Sequence, residues 1–254
     1  MDKLTIIKVG GKIVEEEQSL QRLLGRFTHI DGNKLLVHGG GRTATALATR
    51  LGIESRMVNG RRITDADTLR VVTMVYAGLV NKNIVARLQT LGINALGLTG
   101  ADMDVIRSTR RPVGDVDYGF VGDVARVDAS MLALLIRRGV VPVMAPLTHD
   151  GAGSLLNTNA DTIAGEVAKA LAAHFDVTLT YCFEKPGVLL REDDDSSVIP
   201  RLDKTQFIDY VEQGIIQGGM IPKLQNAFSA IEAGVGSVVI CSADNIGQGT
   251  VIGA

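Results

Sequence analysis

Two glycine-rich turns, each directly behind a short apolar run, are the first residues in this 254-residue chain that could do chemistry. Leu4-Thr5-Ile6-Ile7 leads into Lys8-Val9-Gly10-Gly11-Lys12, and Lys34-Leu35-Leu36 leads into Val37-His38-Gly39-Gly40-Gly41-Arg42. Glycine lets a backbone approach a ligand closely and turn its N–H groups toward it. A helix opening behind each turn adds the positive end of its dipole, so the pair reads as two anion cradles. Lys8, inside the first strand, supplies a fixed cation. The combination points to phosphoryl chemistry, although one such turn alone serves equally well as a tight strand-to-helix connection.

Two later clusters carry similar chemistry. Asn157-Thr158-Asn159-Ala160-Asp161 stands at a helix start, where its amides and carboxylate suit capping as well as ligand binding. Gly218-Gly219-Met220-Ile221-Pro222-Lys223 opens another helix, with a lysine one turn in that could meet a polyphosphate. Taken alone, Lys223 reads as a solvated surface lysine. Common signatures are missing. No Gly-x-x-x-x-Gly-Lys-Ser/Thr occurs, and Ile13 after Lys12 offers no hydroxyl to magnesium. His-Glu-x-x-His and Gly-x-Ser-x-Gly are likewise absent, and the four histidines are scattered. His38 reads as a turn stabiliser. Glu192-Asp193-Asp194-Asp195 reads as a solvated loop tip before a metal site.

These residues need a scaffold, and the composition describes one. Hydrophobic residues make up 46% and aromatics 4%, which requires an aliphatic core; with 29 glycines this suits parallel strands alternating with helices. A net charge of −2 gives no footprint for nucleic acid. No signal peptide is visible, and the longest apolar stretch, Gly139 to Leu147, is too short to span a bilayer. Cys182 and Cys241 lie in apolar runs and read as small buried hydrophobes in a reducing, cytoplasmic setting, not as a disulfide or metal pair.

Strands are expected at Leu4–Val9, Leu35–Val37, Ala95–Leu98, Val140–Ala145, Val177–Cys182 and Ser237–Cys241. A long helical region from Asp65 to Leu91 is expected to be capped by Thr64 and interrupted near Gly78. Short β-prone pieces, Asp104–Ile106 and Tyr118–Val124, flank a polar link from Arg107 to Pro112 and read as a β-hairpin excursion, a candidate lid. A helix from Thr158 through His174 leads into a second half packed against the first.

Taken together, Lys8-Val9-Gly10-Gly11, His38-Gly39-Gly40-Gly41, Asn59-Gly60-Arg61-Arg62, Asn157-to-Asp161 and Gly218-to-Lys223 resemble the amino acid kinase family, in its motif order and at family-like spacing. Asn-Gly-x-Arg and Asn-x-Asn-Ala-Asp are similar to its acylglutamate branch. The resemblance implies an α/β three-layer sandwich, with a mainly parallel central sheet between helices plus the hairpin. It implies an acylglutamate-binding half over 1–175 and an ATP-binding half over 176–254, sharing one sheet. The implied reaction, in arginine biosynthesis, moves the γ-phosphoryl group of ATP, with Mg2+, to the side-chain carboxylate of N-acetyl-L-glutamate or a close N-acyl analogue.

By that resemblance Lys8 and Lys223 stabilise the transferring group, Asp161 holds both ammonium groups, and Gly11 and Gly41 offer backbone N–H groups. Arg62 takes the α-carboxylate, with Gly40, Gly41 and Asn157 completing the pocket. Glu184, Lys185, Gly187, Leu189, Ile215 and Gln217 lie under the nucleotide, and magnesium is held mainly through phosphates. Three departures stand out: Glu184 where the family more often has Asp, Arg61 beside Arg62, and the Gly97–Asp104 stretch. The extra arginine raises N-succinylglutamate as an alternative substrate. Other branches, acting on aspartate, glutamate, carbamate or UMP, are further alternatives. A non-catalytic nucleotide-binding regulator is the reading from another class, and the set Lys8, Asp161 and Lys223 speaks against it. Arginine-inhibited members carry a helix before the first strand, so an arginine-insensitive homodimer, joined through the helix after Asp65, is expected.

Overall fold

The computed structural model describes residues 1–58 and 60–253; Asn59, part of a motif above, lies outside them. In chain order the strands of the first half are β1 (Lys3–Val9), β2 (Asn33–His38), β3 (Met57–Val58), β4 (Arg61–Arg62) and β5 (Ala95–Leu98). Then come β6 (Ile106–Arg110), β7 (Gly122–Val127), β8 (Val141–Met144), β9 (Leu147–His149) and β10 (Leu155–Asn157). The last are β11 (Asp176–Phe183), β12 (Arg201–Leu202), β13 (Ser237–Ser242) and β14 (Gly249–Ile252). Eight of them form one sheet in the order β12-β14-β13-β11-β1-β2-β8-β5, parallel except where β13 meets β14.

The helices are α1 (Gly11–Glu15), α2 (Glu17–Thr28), α3 (Gly41–Arg50), α4 (Ala66–Thr73) and α5 (Asn81–Thr90), followed by α6 (Ala129–Arg137), α7 (Ala160–Leu171), α8 (Lys204–Glu212) and α9 (Met220–Glu232). Side chains on a strand alternate between faces, so a strand buried on both sides feeds two cores. On β1, Leu4 and Ile6 join a core with Ile163, Val167, Leu224 and Phe228 of α7 and α9. Ile7 and Val9 join the opposite core, with Leu23, Phe27, Val72 and Leu88 of α2, α4 and α5. This is the three-layer α/β sandwich the resemblance implied.

Between α4 and α5 the chain passes through a π-helical stretch, Met74–Val80, which contains Gly78. The expected interruption is therefore a widened turn within a continuous helical run. Its N-cap is Asp65, whose side chain accepts from Thr68 N at 2.7 Å, and not Thr64. Thr64 is buried and bonded elsewhere: its hydroxyl donates to the Arg62 carbonyl and accepts from Asn157 Nδ2.

The hairpin exists, with shifted bounds. The link expected from Arg107 to Pro112 is strand as far as Arg110, because alternation buries Ile106 and Ser108 while the arginines face outward. Arg107 pairs with Asp104, and the Arg110 guanidinium covers the Phe120 ring at 4.8 Å. Strands β6 and β7 join a second hairpin, β9–β10, in a four-stranded sheet of order β10-β9-β6-β7. The sequence reading placed no strand between Ala145 and the helix expected from Thr158, so this second hairpin was not anticipated.

The connection between β6 and β7 is bound to the body at two places, Thr64 to Gly119 and Val121 to Asn157. Phe120 N donates to the Thr64 carbonyl at 2.7 Å. Gly119 has φ +70°, and a Cβ there would lie 2.2 Å from the Thr64 oxygen. Gly119→Ala is expected to destabilise the fold by about 1–3 kcal/mol, the order of one strained backbone position. Urea denaturation checks this, and an unchanged midpoint would contradict it.

Candidate active site

Because β1 and β2 are parallel neighbours, Val9 lies opposite His38 and both glycine turns leave the sheet at the same edge. The carboxyl ends of parallel strands are where open α/β sheets bind ligands. The two turns touch backbone to backbone. A Cβ on Gly11 would lie 3.6 Å from the backbone nitrogens of both Gly40 and Gly41, and one on Gly39 would lie 3.1 Å from Gly11 N. Gly40 has φ +155° and packs against Tyr76 and Val80. Helices α1 and α3 begin directly behind these turns, and the Glu15 carboxylate of α1 accepts from Thr43 N of α3 at 2.6 Å.

His38 fixes the second turn. It is fully buried, and burial pushes its imidazole down to about 4. The Gly39 carbonyl, 2.7 Å away, can only accept, so Nδ1 carries the proton. Nε2 then accepts from Asn81 Nδ2 at 3.1 Å, and the same amide donates to the Val143 carbonyl of β8 at 2.9 Å.

Next to the turns stand the charged residues. Lys8 Nζ lies 2.7 Å from Asp161 Oδ1, with both side chains largely buried. That oxygen faces the ammonium without an aligned hydrogen bond from any described residue. Asp161 sits in the first turn of α7, which is capped by Asn159 through bonds of 2.8 and 3.1 Å to Asp161 N and Thr162 N. Lys223 of α9 joins the group: its Nζ is 4.1 Å from the centroid of the Phe183 ring, which also has Lys8 Nζ at 5.4 Å. Burial pulls the Lys223 ammonium below the usual lysine range; Asp161 opposes that pull and Lys8 reinforces it.

Across the glycine bridge is a cleft lined by Gly40, Gly41, Arg61, Arg62, Tyr76 and Asn157, among others. Arg62 is buried at its wall. Nη1 donates to Ser55 Oγ at 2.8 Å, and Nη2 donates to the Gly41 carbonyl at 2.8 Å and Thr45 Oγ1 at 2.9 Å. These three bonds fix the guanidinium, and the Tyr76 hydroxyl lies beside it as a further partner. Asn157 is held by Thr64 at 3.0 Å through its amide. Arg61 is half-buried near Arg111, Asp123 and Tyr118 of the hairpin, and burial is the largest influence lowering its affinity for a proton.

The residues expected under a nucleotide lie along the ends of β11 and the α8–α9 connection. Glu184 ion-pairs with Lys12 at 2.6 Å and faces Arg42 at 4.0 Å, so the longer acid ties the two glycine turns to β11. Lys185 pairs with Asp195 at 2.9 Å, and Asp194 with Arg191 and Ser196, so ion pairs and hydrogen bonds occupy much of the acidic tip. Gly187 is buried, and a Cβ there would lie 2.7 Å from Thr250 Oγ1. Leu189 bridges to Val198, Ile215 packs on the core, and Gln217 is exposed with its amide on the Gly214 carbonyl. Among the described residues no group of three His, Cys, Asp or Glu side chains could hold a metal ion.

Sequence reading missed three contributors. Tyr76, four residues from Val72 and from Val80, has the spacing of an apolar helix face, although a buried hydroxyl needs a partner and this one lies beside Arg62. Glu15 gave no signal, because it acts across to another helix. Phe183, the residue before Glu184, gave no signal of its own.

The amino acid kinase family model matches residues 3–242. The chain belongs to the amino acid kinase family. Among its relatives, the Acetylglutamate kinase of Phocaeicola vulgatus is 73% identical over 253 residues, covering 99% of this chain and 98% of that one. The protein of the same name from Parabacteroides distasonis is 70% identical, covering 98% of each chain. A crystal structure from Streptococcus mutans superposes with a TM-score of 0.81 at 28% identity over 98% of both chains. The carbamate kinase of Giardia lamblia bound to AMP-PNP, at TM-score 0.71 and 13% identity over 98% of each, shares the fold. In this family member the two cradles, the lysine pair and the arginine cleft come together from six separate segments of chain.

His38 generates a pH prediction. The unfolded imidazole, near 6.5, binds a proton that the folded one refuses until about 4. Its contribution to stability is therefore complete above the unfolded value and falls away as pH drops from about 6.5 toward 4. Urea titrations at pH 7 and pH 5 are expected to show a smaller acid-induced loss in His38→Asn than in the wild type. Equal losses would contradict it.

Proposed function

We propose that this protein transfers the γ-phosphoryl group of Mg-ATP to the side-chain carboxylate of N-acetyl-L-glutamate, a step of arginine biosynthesis. One observation carries the reading: three relatives named for that activity match at least 96% of the chain at 70% identity or more. The site chemistry agrees with it. An ionised carboxylate is already a nucleophile, so no general base is required. One of its oxygens attacks the γ-phosphorus, the bond to the β–γ bridging oxygen breaks, and ADP departs, leaving an acyl phosphate. What the protein must supply is alignment and relief of repulsion between two anions.

Lys8 and Lys223 take the second task, with Asp161 keeping the ammonium groups in place. Backbone N–H groups at Gly11 and Gly41 receive the phosphoryl oxygens. The guanidinium of Arg62 suits the α-carboxylate, with Gly40, Gly41 and Asn157 as the rest of the pocket. This divides the molecule into an acylglutamate half, 1–175, and a nucleotide half, 176–254. The second half would hold ATP near Glu184, Lys185, Gly187, Leu189, Ile215 and Gln217, with magnesium carried on the phosphates.

A second reading has its own support. Arg61 lines the same cleft and stands close to Arg111. A dicarboxylic acyl group such as succinyl would give that extra cation a partner.

No helix among the described residues is long and apolar enough to cross a membrane. The two cysteines are free and buried, which fits a reducing compartment, and the cytoplasm is the proposed location. A homodimer is proposed through the helical run 66–90, where Met74 and Leu79 stay exposed. Light scattering is expected to give twice the mass of one chain; the mass of one chain would overturn this.

The reaction is tested by trapping acyl phosphate with hydroxylamine, using N-acetylglutamate, N-succinylglutamate and free glutamate in parallel with Mg-ATP. Hydroxamate is expected from an acylated substrate only, and Lys8→Ala should lower kcat by about 10²–10³-fold, the order for one preorganised donor. The ratio of kcat/KM between the two acyl substrates decides between the readings. No hydroxamate from either would overturn both and send the search to aspartate, carbamate and UMP.

A further inference from the structure

Phe183 closes β11 at the edge where both glycine turns emerge, and it is half-buried. Two ammonium groups approach its ring, Lys223 Nζ at 4.1 Å and Lys8 Nζ at 5.4 Å from the centroid. A cation within about 6 Å of an aromatic centroid is drawn to the negative face of the ring. The ring is itself held. It lies parallel to Tyr181, two residues earlier on the same strand face, with 6° between the planes and 6.1 Å between centroids. The Tyr181 hydroxyl donates to the Asp161 carbonyl at 3.4 Å. The ring stack is therefore tied to the backbone of the residue whose carboxylate pairs with Lys8.

The charges around the Phe183 ring do not balance. Lys8 and Lys223 bring two positive charges, and Asp161, paired with Lys8, brings one negative charge. Burial is the largest influence lowering the Lys223 ammonium, and the like charge of Lys8 adds to it. A second carboxylate would restore neutrality, but it would repel the phosphates that the two lysines are there to receive. Asp161 and Glu184 favour the Lys223 ammonium, but the first is paired with Lys8 and the second with Lys12, so an aliphatic side chain would leave Lys223 with shared carboxylates alone.

We infer that Phe183 is a positioning residue: its π face supplies the missing attraction and holds Lys223 beside Lys8 before any substrate arrives, without adding negative charge. This rests on the phosphoryl-transfer reading for its consequence, but the gathering of the lysines is a property of the protein by itself. The ring acts through the lysines and makes no bond to the reacting atoms.

Two measurements test it separately from the reaction. In full-length protein with lysine labelled at the ε-carbon, NMR should show the Lys8 and Lys223 methylene resonances shifted upfield by the ring. That shift should vanish in Phe183→Leu and persist in Phe183→Tyr. In the hydroxamate assay, Phe183→Leu is expected to lower kcat by about tenfold, in the range for a partly desolvated cation–π contact, with the KM of both substrates little changed. Phe183→Tyr, which keeps the ring face, is expected to restore kcat. Absence of the ring shift in the wild type would overturn the inference. So would equal kcat for the wild type and both variants, or equal loss in both. Ring shifts as described, with no hydroxamate from the wild type, would sink the kinase reading alone and leave the gathering of the lysines standing.

Discussion

The contact between the two glycine turns is the constraint on which the site depends. Gly11 and Gly39 pack backbone against backbone, and a side chain at Gly39 or Gly40 would crowd Gly11 or Tyr76. That closeness has three supports outside the turns themselves. The parallel pairing of β1 with β2 sets their height, Glu15 joins the helices behind them, and the His38–Asn81 chain ties the second turn to β8. A protein that holds two peptide segments this near each other has concentrated N–H groups without spending charged side chains on the task. On the proposed reaction, the lysines are then free to serve the phosphoryl group in transit.

Around this bridge the polar residues are sorted by how much freedom they keep. Arg62 is buried and pinned by three bonds, which suits selection of one fixed anion. Lys8 and Lys223 are flexible chains restrained by a carboxylate and a ring, which suits a group whose position changes during reaction. The hairpin above the cleft is bound to both sides of it through Thr64 and Asn157. Its arginines are engaged with Asp104, Asp123 and the Phe120 ring, so its charge is mostly satisfied within its own sheet.

Local signals in the chain were readable: glycine after an apolar run, an amide before a helix, and alternation on central strands. The two cradles and the central sheet follow from such signals, and the structure places them as expected. Signals that depend on partners across the fold were not readable. Arg107 to Arg110 looks like a polar link until the acids and rings that cover its arginines are known. Thr64 and Asp65 are equally good caps on paper, and what separates them is the demand of Arg62 and Asn157 for the threonine. Tyr76 carries the spacing of a core residue and the hydroxyl of a site residue, and the spacing dominated. Lys223 could not be told from a surface lysine because its neighbours, Lys8 and Phe183, come from strands far away in sequence.

The π-helical stretch between α4 and α5 has a consequence for how a long helix can serve one core. Val72, Tyr76, Val80, Ile84 and Leu88 are all buried, and each is four residues from the next. In a regular α-helix such a series drifts by about 40° at every step, and by its end it would face nearly away from where it began. A widened turn in the middle lets the chain lag behind its normal rotation and brings the series back into phase. Tyr76 and Val80, within that turn, are the two side chains pressed against Gly40. The stretch thus works as a phase corrector, keeping a helical run of 25 residues aligned with the core below it and pressed on the turn that carries the site.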